Sequence, residues 1–233
     1  MNKIIKSTKS MGQSLWLDSI SREMINSGEI ENLINAGITG ITSNPTIFDK
    51  AIGESNVYDS ALIEYSKTSK TTEEIFEKLA TDDIKKAANL LRKTYQSSNF
   101  NDGYVSIEVS PQHADNSEAT IVQAERLWNK INEPNVMIKV PGTDEGFVAV
   151  KTLISKGINV NITLLFSVEQ YEKTAYAYLD GLTEFAKSGL GATNSVCSVA
   201  SFFISRIDTA VDNLLEKNSQ LKGKIGISNA KIA

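Results

Sequence analysis

Hydrophobic residues recur at every second position in six short stretches and at every third or fourth position in the segments between them. The first spacing is typical of β-strands and the second of amphipathic helices. The predicted strands cover residues 14–19, 38–45, 104–109, 136–140, 159–164 and 194–199. Because parallel strands need crossover connections and helices supply them, the alternation favours an α/β fold with a parallel sheet.

The fourth predicted strand carries a lysine among apolar residues. Its valine and isoleucine residues point to one face, whereas Met137 and Lys139 point to the other. Apolar surroundings disfavour the charged ammonium and favour a neutral amine, which can attack a carbonyl carbon. The alternative is a strand-end lysine that extends its ammonium into water. The strand alone leaves both interpretations open.

Polar residues collect near the ends of the predicted strands. They are Asp18, Asn44, Glu108, Lys139, Asn161, Thr163 and Ser201. A rim to which nearly every strand contributes is expected of a (β/α)8 TIM barrel, whose active site lies at the C-terminal face. A doubly wound sheet would instead concentrate its ligand groups at one switch point, usually after a glycine-rich turn.

Each of these residues also has a structural interpretation. Asn44 precedes Pro45 and suits a turn, Ser201 suits a helix cap, and the carboxylates suit ion pairs. Arg206, near the start of the last predicted helix, suits a surface cation.

The number of strands is low for a closed barrel, which needs eight strands and typically about 250 residues. We therefore expect residues 1–233 to form a single (β/α) barrel domain with about six βα units, truncated at the C-terminus. Unpaired edges on the first and sixth strands would make such a chain poorly stable or prone to associate.

The amino-acid composition argues against several classes of function. A chain that is 41% hydrophobic can bury a substantial core. A net charge of −4 without a basic run argues against nucleic-acid and membrane-surface binding. One cysteine and one histidine exclude a disulfide framework and a histidine-rich metal site. With no signal peptide and no apolar run of membrane-spanning length, a cytoplasmic protein is expected.

Six sequence blocks, taken in order and spacing, resemble the bacterial transaldolase family. They are LWLDS (15–19), GITGITSNPTIF (37–48), VSIEV (105–109), IKVPGT (138–143), NITLLFS (161–167) and SFFISRID (201–208). The blocks span most of the chain, and together they are highly specific. The chain departs from the family pattern after residues 228–231, where the family continues into two further strands.

The resemblance implies a class I aldol transfer that needs no metal and no organic cofactor. Lys139 would form a Schiff base with C2 of fructose 6-phosphate or sedoheptulose 7-phosphate. Asp18 would take the C4 hydroxyl proton as the C3–C4 bond breaks, and Glu108, with a water near Thr163, would move protons during dehydration. The dihydroxyacetone unit would pass to glyceraldehyde 3-phosphate or erythrose 4-phosphate.

The resemblance also implies a set of substrate-binding residues. These are Asn44, Thr42, Asn161 and Ser201 for the three-carbon unit, and Arg206 for phosphate. The expected partners are sugar phosphates, and the expected assembly is a monomer or a homodimer. Two alternatives remain open: a fructose 6-phosphate aldolase that releases free dihydroxyacetone, and an inactive sugar-phosphate binder.

Overall fold

The computed structural model of the protein describes residues 3–217 and 219–233. Contacts divide the chain into two compact units. The first comprises Met1–Glu108, as far as described, with Glu125–Ile138, and the second comprises Val109–Ala124 and Lys139–Ala233. Each is described separately.

The first unit contains three complete strands and most of the helices in the first half of the chain. The strands are β1 (Trp16–Leu17), β2 (Gly40–Thr42) and β3 (Tyr104–Glu108). The helices are α1 (Lys3–Ser10), α2 (Arg22–Asn26), α3 (Glu29–Ala36), α4 (Pro45–Glu54), α5 (Asp59–Ser66) and α6 (Thr72–Ser97), with a 3-10 turn at Asn56–Tyr58. Helix α7 (Ser117–Ile131) and strand β4 (Val136–Pro141) contribute residues to both units.

The second unit contains the remaining strands. Its elements are α8 (Asp144–Ser155), β5 (Val160–Leu165), α9 (Val168–Ser188), β6 (Ser198–Phe202), α10 (Ser205–Asp212) and α11 (Ile225–Ile232), with 3-10 turns at Pro111–His113 and Thr193–Ser195.

The strands pair in chain order within each unit. In the first, β1 and β2 are parallel, β2 and β3 are parallel, and β3 neighbours the beginning of β4. In the second, the end of β4 neighbours β5, which pairs in parallel with β6. With helices between successive strands, this is the connectivity of a (β/α)8 barrel through six βα units, and the predicted fold class is confirmed. A single domain over residues 1–233 stays a prediction.

Several elements differ in extent from the sequence prediction: strands β1 and β2 are shorter than predicted, and three other elements have different boundaries. The helix predicted between the first two strands is divided into α2 and α3, because Gly28 adopts a left-handed conformation with φ of 77°. The helical segment between the second and third predicted strands ends in one long helix, α6, whose buried stripe includes Ile84 and Leu91. Strand β6 begins at Ser198 rather than at residue 194, because Thr193–Ser195 forms a 3-10 turn.

A close contact between neighbouring strands requires a glycine in β2. Gly40 is paired in register with Trp16, and a Cβ atom at this position would lie 2.3 Å from two carbons of the indole ring. The ring therefore covers the backbone of β2 directly. We expect Gly40→Ala to lower the free energy of unfolding by about 1–3 kcal/mol, because the ring has to leave its position. Urea unfolding monitored by fluorescence would measure the change.

Gly53 provides the matched control for this substitution. It lies in α4, is exposed, and would have no atom within 4 Å of an added Cβ. Gly53→Ala should leave stability unchanged or raise it by up to about 1 kcal/mol, because alanine favours the helix. An equal loss of stability in both variants would contradict the steric explanation.

Candidate active site

In the first unit, the ends of β1 and β2 bring two predicted site residues together. Asp18 directly follows β1, and Thr42 is the last residue of β2. The Thr42 hydroxyl donates a hydrogen bond to Oδ1 of Asp18 over 2.7 Å. Asp18 is exposed, and its Oδ2 accepts no hydrogen bond from the described residues. The carboxylate is thus held through one oxygen, and its other oxygen remains open for a proton.

Asn44 caps helix α4, whereas its structural interpretation was a turn before Pro45. Its Oδ1 accepts a hydrogen bond from the main-chain N–H of Ile47 over 2.9 Å, and Pro45 occupies the first helical position. The cap uses only the oxygen of the amide. The two Nδ2 hydrogens have no acceptor among residues 3–217 and 219–233, so the side chain can cap the helix and still donate to a ligand. Glu108, the fourth predicted residue of this unit, is half-buried at the end of β3.

Lys139 lies in the second unit, at the fourth position of β4. Only 6% of its surface is exposed, and the flanking residues Ile138 and Val140 are fully buried. Its main-chain carbonyl accepts a hydrogen bond from the N–H of Val109 over 3.1 Å, which fixes the backbone. A lysine that extended into water would expose much more of its side chain. The burial therefore disfavours the surface-lysine interpretation.

Strands β5 and β6 bring two further predicted residues together. Asn161 is fully buried, and its Oδ1 accepts a hydrogen bond from the Ser201 hydroxyl over 2.7 Å. Asn159 directly precedes β5, and its Oδ1 accepts a hydrogen bond from the main-chain N–H of Cys197, which directly precedes β6, so the beginnings of the two strands are tied together. Burial of polar side chains along one face of β5 agrees with the predicted alternation.

A β-bulge lies beside this pair, and sequence reasoning missed it. The register passes from Ile162 opposite Ala200 to Leu165 opposite Phe202, so two residues of β5 face Ser201 alone. These two are Thr163, which is buried, and Leu164, whose φ of 63° is rare for a residue with a side chain. Bulges and left-handed residues are enriched at active sites, where they redirect side chains. The residue type of Leu164 does not predict this conformation.

Gln170 stabilises the chain ends next to the bulge. Ser167 caps α9 by accepting a hydrogen bond from the N–H of Gln170, and the spacing of the two residues is that of a capping box. The Gln170 side chain, however, accepts from the N–H of Phe166 over 3.0 Å rather than from the N–H of Ser167. Its Nε2 also donates to the carbonyl of Gly142 over 3.2 Å. The residue therefore links the segment after β4 to the segment after β5.

Arg206 is the second residue of α10 and is exposed. Its guanidinium lies 4.8 Å from the ring centre of Phe203, which packs against Phe166 with ring centres 5.4 Å apart. Stacking on an aromatic ring orients the guanidinium plane but leaves its N–H groups available. No carboxylate among the described residues pairs with it. The position suits recognition of an anion.

Two features are absent from the described residues. None of their helices is both long and apolar enough to cross a membrane. Within the same residues, no three His, Cys, Asp or Glu side chains cluster in a way that could hold a metal ion.

Comparison with known proteins identifies the family. Residues 15–233 match the family model described as Transaldolase/Fructose-6-phosphate aldolase. The chain is 46% identical to a transaldolase of Trichodesmium erythraeum, and the alignment covers 97% of this chain and 63% of that protein. It is 40% identical to a transaldolase of Saccharopolyspora erythraea, over 100% of this chain and 64% of that protein.

A third relative, transaldolase 2 of a Nostoc species, is 45% identical over 97% of the chain and 63% of its own length. The chain thus spans just under two thirds of the length of these curated relatives. The family model covers nearly all of the chain, including every predicted site residue. The chain therefore belongs to the transaldolase/fructose-6-phosphate aldolase family.

Proposed function

We propose that the protein is a transaldolase. It moves a dihydroxyacetone unit from sedoheptulose 7-phosphate or fructose 6-phosphate to glyceraldehyde 3-phosphate or erythrose 4-phosphate. The observation that carries the proposal is the buried lysine within an otherwise apolar strand, in a chain whose curated relatives are named transaldolase. A buried lysine amine suits covalent catalysis on a carbonyl.

The reaction begins with Lys139. Its neutral amine attacks the C2 carbonyl carbon of the ketose phosphate, and the resulting carbinolamine loses water to give a protonated Schiff base. Loss of water requires a proton on the departing hydroxyl, and Glu108, with a water held near Thr163, transfers it. The buried position of Thr163 next to the bulge supports its role in holding one ordered water.

Asp18 carries out the cleavage step as general base. It takes the proton of the C4 hydroxyl, the C3–C4 bond breaks, and the electron pair moves to the Schiff-base nitrogen. This step releases the aldose phosphate and leaves an enamine of dihydroxyacetone on Lys139. An acceptor aldose phosphate then undergoes the reverse sequence. The hydrogen bond from Thr42 supports this role, because it orients the carboxylate without occupying both oxygens.

The remaining polar residues bind the substrate. Asn44, Asn161 and Ser201 hold the hydroxyls of the three-carbon unit. The hydrogen bond between Asn161 and Ser201 supports this assignment, because it pre-orients both side chains before the substrate arrives. Arg206 binds the phosphate, for which a stacked guanidinium with available N–H groups is geometrically suited.

The proposal is tested by product analysis. Incubation of the protein, at its natural length, with fructose 6-phosphate and erythrose 4-phosphate should produce sedoheptulose 7-phosphate and glyceraldehyde 3-phosphate. The family description also covers fructose-6-phosphate aldolase, which would release free dihydroxyacetone from the first substrate alone. Binding of fructose 6-phosphate without either product would instead indicate the inactive sugar-phosphate binder.

Substitution of Asn44 separates its capping role from its binding role. Asn44→Asp and Asn44→Ser keep a side-chain oxygen for the N–H of Ile47, so the free energy of unfolding should change by less than about 0.5 kcal/mol. Both variants lose the amide donors, so kcat/KM should fall by at least about tenfold. Asn44→Ala, which lacks the cap, should lose about 1 kcal/mol of stability as well. Full activity in the aspartate and serine variants would leave Asn44 with only a structural role.

A further inference from the structure

A buried polar network in the first unit lies outside the residues assigned above. The main-chain N–H of Arg22 donates to the hydroxyl of Tyr58 over 2.8 Å, and that hydroxyl donates to Oδ2 of Asp83 over 2.8 Å. The Nε of Arg22 donates to the other oxygen of Asp83, also over 2.8 Å. The three residues thus form a closed ring of hydrogen bonds.

All three residues of the network are removed from water. Tyr58 and Asp83 are completely buried and Arg22 is 7% exposed. The guanidinium lies 4.6 Å from the ring centre of Tyr58, and its Nη2, which forms no hydrogen bond, lies 3.9 Å from Oδ2 of Asp82. Burial raises the pKa of the Tyr58 hydroxyl, which keeps it protonated as the donor to Asp83.

Stability alone does not explain such a network. The desolvation of two buried charges largely cancels their attraction, and apolar residues of similar volume often stabilise a fold as well. A buried ionic ring nevertheless fixes the local conformation more closely than an apolar contact does, because its hydrogen bonds are satisfied in one geometry only. The network therefore fixes the geometry of the segments that it joins.

The network fixes the segment that follows β1. Arg22 begins α2, Ser21 caps that helix through the N–H of Met24, and Ile20 is buried. On the other side of the network, Asp83 belongs to the long helix α6 and Tyr58 ends a 3-10 turn. The segment from Ile20 to Arg22 is therefore anchored on both its main chain and its side chains.

This anchor lies four residues after Asp18. Strand β1 contains only two residues, and the hydrogen bond from Thr42 holds a single oxygen of the carboxylate. So short a strand fixes the direction of the chain weakly. The path of the chain from Asp18 to its next fixed point thus depends on the network.

We propose that Arg22, Tyr58 and Asp83 are positioning residues for Asp18. Through the segment that follows β1, they hold the Asp18 carboxylate where it can take the proton of the C4 hydroxyl. The inference rests on the proposed function, since it assigns Asp18 as the general base. A small displacement of a catalytic group lowers the rate of its chemical step while leaving the binding of substrate mostly intact.

Tyr58→Phe tests the inference, and Tyr65→Phe is the matched control. Each substitution removes one phenolic hydroxyl that donates to an aspartate of α6, but the Tyr65 hydroxyl donates to Asp82, a partly exposed carboxylate that lies 3.9 Å from Nη2 of Arg22 and outside the ring of hydrogen bonds. For both variants at natural length, kcat and KM for dihydroxyacetone transfer are measured. Sites that form a borohydride-stable adduct with fructose 6-phosphate are counted, so that rates refer to folded protein only.

We expect Tyr58→Phe to lower kcat per competent site by about tenfold or more, with KM changed by less than about twofold. The trapped adduct should shift from the three-carbon unit toward the uncleaved ketose phosphate, because cleavage is the impaired step. Tyr65→Phe should retain the wild-type values. Wild-type kcat per competent site in Tyr58→Phe, or an equal loss in both variants, would overturn the inference alone. A wild-type protein that forms no adduct and transfers nothing would overturn the proposed function and the inference with it.

Discussion

Lys139→Met should abolish both the transfer reaction and the covalent adduct. The substitution removes the amine but keeps an unbranched side chain of similar length in the buried site. Because the reaction proceeds through a Schiff base on this amine, kcat should fall by at least about 10³-fold. Treatment with fructose 6-phosphate and borohydride, followed by intact mass measurement, should show an added three-carbon unit on the wild type and none on the variant.

Lys151→Met is the matched control for this experiment. Lys151 is half-buried on α8 and pairs with Glu184 over 2.9 Å. The hydrogen bond to that carboxylate raises the pKa of Lys151, which keeps the amine protonated and unreactive. This variant should retain activity and adduct. Peptide mapping should place the wild-type adduct on Lys139, and an adduct that persists in Lys139→Met at full yield would refute the assignment.

The sequence pattern was sufficient to predict the fold class and the strand that carries Lys139. A single lysine interrupts the run of apolar residues in β4, and the structure buries that lysine, which the strand pattern alone had left open. The hydrogen bonds from Thr42 to Asp18 and from Ser201 to Asn161 follow from polar residues at the ends of neighbouring parallel strands. Arrangement of all these residues on one common rim stays a prediction.

Other features depend on tertiary contacts that no local pattern reveals. The left-handed conformation of Leu164 arises from the pairing of β5 with β6, and the residue has no local preference for it. Similarly, Tyr58 and Asp83 are far apart in the sequence, and each on its own resembles an ordinary surface residue of a helical region. The sequence did not indicate the burial of Arg22 either, because a basic residue near a helix start is normally exposed.

Asp18→Asn should separate formation of the Schiff base from cleavage of the carbon–carbon bond. An asparagine can still accept the hydrogen bond from Thr42 through its amide oxygen, so the fold around the side chain should be retained. It cannot take the proton of the C4 hydroxyl, however, and kcat should fall by about 10²- to 10⁴-fold.

The trapped adduct identifies the blocked step. In Asp18→Asn, Lys139 can still attack the C2 carbonyl, so borohydride should trap the whole six-carbon ketose phosphate on the lysine instead of the three-carbon unit. Thr42→Val leaves the carboxylate in place and removes only its orienting hydrogen bond, so its loss in kcat should be smaller and its adduct should remain mainly the three-carbon unit. A three-carbon adduct formed at the wild-type rate in Asp18→Asn would transfer the role of general base to another residue, and Glu108 would then be the first to substitute. No adduct at all in Asp18→Asn, with the protein still folded, would mean that this carboxylate acts before cleavage, during formation of the Schiff base.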